Sequence, residues 1–102
     1  RSMPSQSRWP VRNVGICPES AWGRLTAADL DERTAWELDI MRNEIFARWG
    51  RPFARAKYRD YFERQWWYHV NPSYHDGLLS QLERWNADFI HRYQITTGGT
   101  TG

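Results

Sequence analysis

Four polar residues whose side chains could bind a ligand or act in catalysis lie close together in the chain: Arg42, Asn43, Glu44 and Arg48. A functional interpretation makes them a ligand-binding or catalytic cluster. A structural interpretation pairs Glu44 with Arg48, which lies four residues further on and therefore on the same face of a helix. In that case Arg42 or Asn43 hydrogen-bonds a neighbouring loop. We favour the structural interpretation, because such polar groups can fix a loop against a helix where the hydrophobic core is small.

The residue types used for metal binding and nucleophilic catalysis are present, but their spacing suits neither. His69, His75 and His91 are separated by six and sixteen positions, whereas zinc ligands are usually grouped at short helical or turn spacing, often with cysteines. Cys17 is the only cysteine, so no disulfide can form within the chain, and no histidine is close to it in sequence. The sequence therefore predicts no catalytic residue, no bound metal and no cofactor. We expect the domain not to be an enzyme.

Three adjacent aromatic residues, Trp66, Trp67 and Tyr68, are the best candidate for a contact surface. Three consecutive large rings next to a turn cannot all enter one small core. A packing interpretation buries two of the rings and leaves one half-exposed. A functional interpretation presents at least one ring to a partner, together with the flanking Arg64 and His69, because Trp, Tyr and Arg dominate interface hot spots. Aromatic rings also stack on sugar faces, so a cell-wall carbohydrate is a second class of ligand.

The composition limits the class of partner. The 102 residues include seven Trp, five Tyr and four Phe, and each ring can bury about 150–250 Å², which helps so small a domain to form a core. The formal net charge is +2, with both signs interspersed, whereas nucleic-acid-binding domains usually carry a clustered basic face. We therefore expect no nucleic-acid partner. No apolar stretch is long enough to predict a transmembrane segment.

The best-defined structural element is a helix that begins after Thr34 and ends at Gly50. Thr34 and Glu37 have the spacing of a capping box, and Pro52 prevents the helix from continuing. Gly50 lies where a helix C-cap is expected, so we predict a left-handed backbone conformation there. The apolar residues of this helix recur at helical spacing: Ala35, Leu38, Met41, Ile45 and Trp49.

The remaining pattern predicts one helical turn, Thr26–Leu30, and two further helices. The second main helix runs from about residue 55 to 65, and the third from an N-cap at Asp76 to about Gln94. No segment alternates between polar and apolar residues, so the predicted fold class is all-α, a small single domain of three main helices plus a short N-terminal helical turn. The predicted core comprises Leu38, Met41, Ile45, Phe62, Leu82, Phe89 and at least one of Trp66 and Trp67.

Both ends of the chain lack a sustained periodic pattern. We predict a flexible arm over residues 1–18, in which Arg1-Ser2 resembles a cloning remnant and from which Trp9 and Val11 can dock onto the domain. The helical domain is predicted over residues 19–94. A tail or linker rich in Gly and Thr is predicted over residues 95–102.

The block that ends the first main helix resembles the signature of a known family. Its sequence is Arg42-Asn43-Glu44-Ile45-Phe46-Ala47-Arg48-Trp49-Gly50, and an aromatic block follows at Tyr61-Phe62-Glu63-Arg64-Gln65-Trp66-Trp67-Tyr68. With the leucine-rich helix downstream, these blocks resemble the YARHG domain of bacterial proteins over roughly residues 25–90. That family is named for a Tyr-Ala-Arg-His-Gly run, from which this chain departs at two of the five positions. Trp49 replaces the histidine with another flat ring that can donate a hydrogen bond.

The resemblance implies a fold and a location outside the cytoplasm, in the periplasm or at the cell surface, but no ligand. On that basis we expect a non-enzymatic interaction module that makes protein or cell-envelope contacts within a larger bacterial protein. A regulatory or substrate-recruiting domain of a cell-envelope enzyme is the alternative. The candidate partner-binding residues are Arg64, Trp66, Trp67, Tyr68 and His69. The predicted structural motif comprises Arg42, Asn43, Glu44, Arg48 and Gly50.

Overall fold

The computed structural model describes residues 8–97, which fold into helices joined by irregular segments, with no strand among them. The α-helices are α1 (Ala27–Leu30), α2 (Ala35–Ala47), α3 (Ala56–Glu63) and α4 (Gln81–Thr97). Two short 3-10 turns precede α1 and α4, at Pro18–Ala21 and Asp76–Leu78. The predicted all-α fold of three main helices and one short N-terminal turn is therefore confirmed.

The start of α2 is fixed by the predicted capping box. The hydroxyl of Thr34 accepts the amide of Glu37 at 3.1 Å, and the carboxylate of Glu37 accepts the amide of Thr34 at 2.9 Å. Each side chain thus satisfies a backbone N–H group that has no partner within the helix. The start of α2 is determined by local sequence.

The end of α2 is a glycine turn, as the sequence predicts. Gly50 has a φ of +88°, and its amide donates to the carbonyl of Ala47 at 2.9 Å. The amide of Arg51 donates to the carbonyl of Phe46 at 3.3 Å, which completes the hydrogen-bond pattern of a Schellman motif. A Cβ atom added at Gly50 would lie 2.5 Å from the Cβ of Asn71. Gly50 is therefore required both for its backbone conformation and for a close approach of the chain.

The last helix starts later than the sequence predicted. Asp76 was expected to be its N-cap, but Asp76 begins the 3-10 turn instead, and that prediction is wrong. The cap is another capping box: Glu83 accepts the amide of Ser80 at 2.9 Å, and the hydroxyl of Ser80 accepts the amide of Glu83 at 3.1 Å. The Ser-x-x-Glu spacing of these two residues was the signal that identifies this start.

Two hydrophobic clusters lie on either side of α2. One joins α2 to α4, and the other joins α2 to α3 and the segment that follows α3. The predicted core residues Leu38, Met41, Ile45, Phe62 and Trp67 are all buried, with exposures of 3% or less.

The predicted core positions of α4 are confirmed only in part, with Phe89 packed against the cluster between α2 and α4. Leu82 and Phe89 were expected in the core but are only half-buried. The buried face of α4 carries Ala87 and Ile90 and also three polar residues, Glu83, Asn86 and Gln94. A search for apolar periodicity misplaces this face, because polar side chains occupy much of it.

The predicted arm is packed against the domain from residue 8 to 18. Val14 and Cys17 are buried, at 7% and 1% exposure. The amide of Val11 donates to the carbonyl of Arg48 at 2.8 Å, and the indole N–H of Trp9 donates to the carbonyl of His69 at 2.9 Å. At the other end, α4 continues to Thr97, three residues past the predicted boundary. The rest of the predicted arm and tail, residues 1–7 and 98–102, lies outside the described residues. Helices long and apolar enough to cross a bilayer are absent from residues 8–97.

Candidate functional site

Glu44 and Arg48 form the ion pair that their spacing predicted, and the structure shows that the pair is buried. Both lie near the end of α2, and their side chains are fully or almost fully buried. One carboxylate oxygen of Glu44 accepts the amide of Ile16 at 2.8 Å, and the other accepts the amide of Cys17 at 3.0 Å and the Arg48 guanidinium at 3.3 Å. The carboxylate therefore satisfies two backbone N–H groups of the N-terminal segment, where no secondary structure does so.

Arg48 holds the same N-terminal segment by donating hydrogen bonds to a carbonyl and a hydroxyl oxygen of that segment. Its guanidinium donates to the carbonyl of Cys17 at 3.3 Å and to the hydroxyl of Ser20 at 2.6 Å. The hydroxyl of Ser20 in turn donates to the carbonyl of Cys17 at 3.0 Å. A buried charge is tolerated only when it is paired and hydrogen-bonded. The Glu44–Arg48 pair thus forms a structural clamp that holds the N-terminal segment against α2.

Asn86 of α4 holds the next residues of the N-terminal segment by hydrogen bonds to their backbone groups. Its side-chain amide donates to the carbonyls of Ser20 and Gly23, at 2.8 and 2.9 Å, and its oxygen accepts the amide of Leu25 at 2.9 Å. Asn86 is fully buried. Its role was not predicted, because an asparagine within an apolar helical pattern carries no local signal of a contact over 60 residues away.

The other two residues of the polar group lie outside the clamp. Asn43 donates to the carbonyl of Asp39 within α2, at 2.8 Å. The carboxylate of Asp39 accepts the Tyr58 hydroxyl at 3.0 Å and the Gln94 side-chain amide at 2.8 Å, which ties α3 and α4 to α2. Arg42 is half-buried and lines a surface cavity. The bonds to a neighbouring loop that were expected from Arg42 or Asn43 come instead from Glu44 and Arg48.

Trp49, at the substituted signature position, joins the end of α2 to the start of α4. Its indole N–H lies 3.0 and 3.2 Å from the two carboxylate oxygens of Glu83, which is 4% exposed. The backbone carbonyl of Trp49 accepts the side-chain amide of Asn71 at 3.2 Å. The hydrogen-bond donor expected of this ring therefore bonds a buried carboxylate.

The aromatic residues at 66–68 divide between the core and the surface. Trp67 and Tyr68 are buried, at 3% and 8% exposure, whereas Trp66 is 81% exposed. The rings of Trp67 and Tyr68 each lie about 6 Å from the ring of Phe62, with centroid distances of 6.1 and 5.9 Å. The flanking Arg64 and His69 are exposed. The candidate contact surface is thus reduced to Trp66 with Arg64 and His69.

Cys17 and the three histidines are the residues whose types could serve nucleophilic catalysis or metal binding. Cys17 is 1% exposed, and burial together with the nearby Glu19 raises the pKa of its thiol to about 12. At neutral pH the thiol is therefore protonated and a poor nucleophile. Within residues 8–97, no three His, Cys, Asp or Glu side chains lie close enough together to hold a metal ion.

These features define a class: a small helical domain in which a charged pair at the end of one helix fixes an irregular N-terminal segment. The chain matches the YARHG domain family over residues 14–95 and belongs to that family. The resemblance inferred from the signature block is therefore confirmed. The matched region begins inside the segment predicted to be a flexible arm.

A solved structure shares this fold. It is a crystal structure of a "putative nutrient binding protein" from Legionella pneumophila subsp. pneumophila str. Philadelphia 1, 33% identical to this chain with a TM-score of 0.58. The similarity covers 63% of this chain and 20% of the Legionella chain. The chain thus corresponds to about a fifth of that protein's length. No curated protein matches the chain.

Proposed function

We propose that this domain is a non-enzymatic interaction module that contacts a protein or another component of the bacterial cell envelope. The observation that carries the proposal is the difference in burial between two adjacent tryptophans. Trp67 lies in the core, whereas Trp66 is 81% exposed. Arg64 and His69 are exposed beside it in sequence. Arg64, Trp66 and His69 are the proposed contact residues.

The energetics of a tryptophan side chain support this assignment. A tryptophan offers about 150–250 Å² of largely apolar surface, and covering it with a partner is favourable. Val70, four positions on, is also exposed, at 49%. Trp and Arg are the residue types that contribute most to interface energy when a partner desolvates them. A contact at this surface would use side chains that the fold does not need.

The proposal that the domain is not an enzyme is supported by the positions of its reactive groups. The one thiol, Cys17, is buried and has a raised pKa. The buried carboxylates Glu44 and Glu83 are each engaged by hydrogen bonds that hold the fold. We also propose that the partner is not a nucleic acid, because the net charge is only +2.

The proposed location is outside the cytoplasm, within a larger protein. Membership of the YARHG family supports the location, because that family is generally extracytoplasmic. The Legionella structure supports a place within a larger protein, since the region similar to this chain forms a fifth of a longer polypeptide there.

Site-specific photo-cross-linking tests the proposal. A benzoylphenylalanine introduced at the exposed Val70, in cells that export the full-length protein, leaves Trp66 in place. We expect a cross-link to one envelope component, and we expect Trp66→Ala in the same protein to abolish it. Trp22→Ala is the matched control. Trp22 is also exposed, at 59%, but it follows the 3-10 turn Pro18–Ala21 and is not one of the proposed contact residues. The absence of a cross-link, or a cross-link that survives Trp66→Ala, would contradict the proposal.

A further inference from the structure

A cavity of about 230 Å³ lies between α2, the segment that follows it and the start of α3. Three arginines line it: Arg42 from α2, Arg51 from the glycine turn, and Arg55 just before α3. The other lining residues include the rings of Phe53 and Tyr58, but no acidic side chain. Arg51 and Arg55 are four positions apart in sequence, and the chain reversal at Gly50 brings Arg42 of α2 to the same cavity.

Within residues 8–97, the lining of this cavity carries three positive charges and no negative one. In residues 8–97 none of the three guanidinium groups forms an ion pair. The carboxylate of Asp39, which accepts the hydroxyl of the cavity residue Tyr58, also accepts the side-chain amide of Gln94 and does not line the cavity. Like charges around one cavity repel each other, and an anion placed among them relieves that repulsion.

One wall of the cavity is held in place before any ligand arrives. The guanidinium of Arg51 lies 5.0 Å from the ring centre of Phe46 and 5.8 Å from that of Phe53, both within the range of cation–π contacts. The hydroxyl of Tyr68 donates to the backbone carbonyl of Arg51. A side chain that is already positioned loses less conformational entropy when it binds.

We propose that this cavity binds a small organic anion through a carboxylate or phosphate group. The guanidinium groups of Arg42, Arg51 and Arg55 would contact the anionic oxygens, because arginine presents paired N–H donors that match such groups. The rings of Phe53 and Tyr58 would contact the organic part of the ligand. This binding goes beyond the proposed interaction function and uses different residues from the Trp66 surface.

The N-terminus of α3 adds a weaker attraction for an anion. Its N-cap residue, Arg55, gives no side-chain cap, and its first turn holds no acidic residue. The partial positive charge at a helix N-terminus is therefore not offset there by a carboxylate of the first turn. The arginines supply the main attraction.

Titration of the isotope-labelled protein with citrate and with glycerol 3-phosphate, followed by NMR at low ionic strength, tests this proposal. We expect saturable binding of at least one of the two anions, with the largest chemical-shift changes at residues 42 and 51–58. Binding of citrate alone identifies a carboxylate ligand, and binding of glycerol 3-phosphate alone identifies a phosphate ester. Because this part of the test uses the unaltered protein, it does not depend on the folding of a variant.

Matched charge variants then separate a specific site from general attraction. Arg42→Gln and Arg55→Gln should each weaken binding by tenfold or more. Arg92→Gln removes the same charge from an exposed position on α4 that does not line the cavity, and it should change the affinity by less than twofold. The proposal is overturned if neither anion saturates, if the shifts map elsewhere, or if Arg92→Gln weakens binding as much as Arg42→Gln.

Discussion

The carboxylate of Glu44 lies 3.3 Å from the guanidinium of Arg48, and neither side chain is more than 1% exposed. The pair stands at the end of α2, yet its other hydrogen bonds reach Ile16, Cys17 and Ser20. Burial favours the neutral form of each group, and it raises the pKa of Glu44 and lowers that of Arg48. The two backbone amides and the opposite charge work against that tendency in Glu44. The irregular N-terminal segment therefore depends on this pair for its position.

Removing one member of the pair should destabilise the domain strongly. Arg48→Met leaves the Glu44 carboxylate buried without its counter-charge, and we expect a loss of about 3–5 kcal/mol in the free energy of unfolding. Arg33 and Glu37 form a partly exposed pair at the same spacing, 3.8 Å apart, so Arg33→Met should cost about 1 kcal/mol or less. Urea denaturation measures both. Similar losses for the two variants would show that the buried pair has no special role.

Gly50 should not tolerate a side chain. Gly50→Ala forces an L-residue to a φ of +88° and places a Cβ atom 2.5 Å from that of Asn71, so we expect a loss of more than about 1 kcal/mol. Gly23→Ala is the control, because a Cβ atom there would meet only the carbonyl oxygen of Glu19, at 3.9 Å. Thermal melts that show equal effects at the two glycines would refute this account of the α2 end.

The hydrogen bond from Trp49 to Glu83 should contribute to stability through its donor. Trp49→Phe keeps an aromatic ring but leaves the buried Glu83 carboxylate without the indole N–H, and we expect a loss of about 1–3 kcal/mol. Trp85→Phe is a matched change on α4, since the indole of Trp85 makes no hydrogen bond within residues 8–97, and it should cost less. Chemical denaturation of the two variants decides the point, and equal losses would assign the effect to ring size alone.

Cys17 should be unreactive in the folded protein. Its thiol is buried and its pKa is about 12, so iodoacetamide at pH 8 should label it slowly in buffer and rapidly in denaturant. Rapid labelling in buffer would show that the N-terminal segment does not stay packed.

The raised pKa of the Cys17 thiol also predicts that stability depends on pH in the alkaline range. The thiol pKa rises from 9.0 to about 12 on folding, so the unfolded chain releases this proton first as the pH increases. Its contribution to stability is complete below pH 9 and decreases between pH 9 and about 12. Denaturation at several alkaline pH values should therefore show a shallower decline for Cys17→Ala than for the unaltered protein.

Several parts of the fold that local sequence determines were predicted correctly, although the equally local Ser80–Glu83 cap of α4 was missed. The capping box of Thr34 and Glu37, the glycine turn at Gly50 and the Glu44–Arg48 spacing all depend on residues within four positions of one another. Each is a property of a single helix or its end.

The parts that depend on distant contacts were not predicted. The N-terminal segment has no periodic pattern, because the side chains of Glu44 and Asn86 satisfy its backbone groups in place of secondary structure. The burial of Glu83 and Gln94 on α4 was not predicted, because it depends on hydrogen-bond partners on other elements. Which of the adjacent tryptophans is exposed also depends on the packing of Phe62, which the order of residues does not reveal.

The most direct test of the proposed function is to compare the stability and affinity of Trp66→Ala and Trp67→Ala, using the partner captured by the Val70 cross-link. Trp66→Ala should melt at nearly the same temperature as the unaltered domain but lose about 2 kcal/mol of binding free energy, roughly a thirtyfold weaker affinity. Trp67→Ala should melt early, because its ring is 3% exposed and packs in the core. If Trp66→Ala binds the partner as tightly as the unaltered domain, Trp66 is not the contact surface.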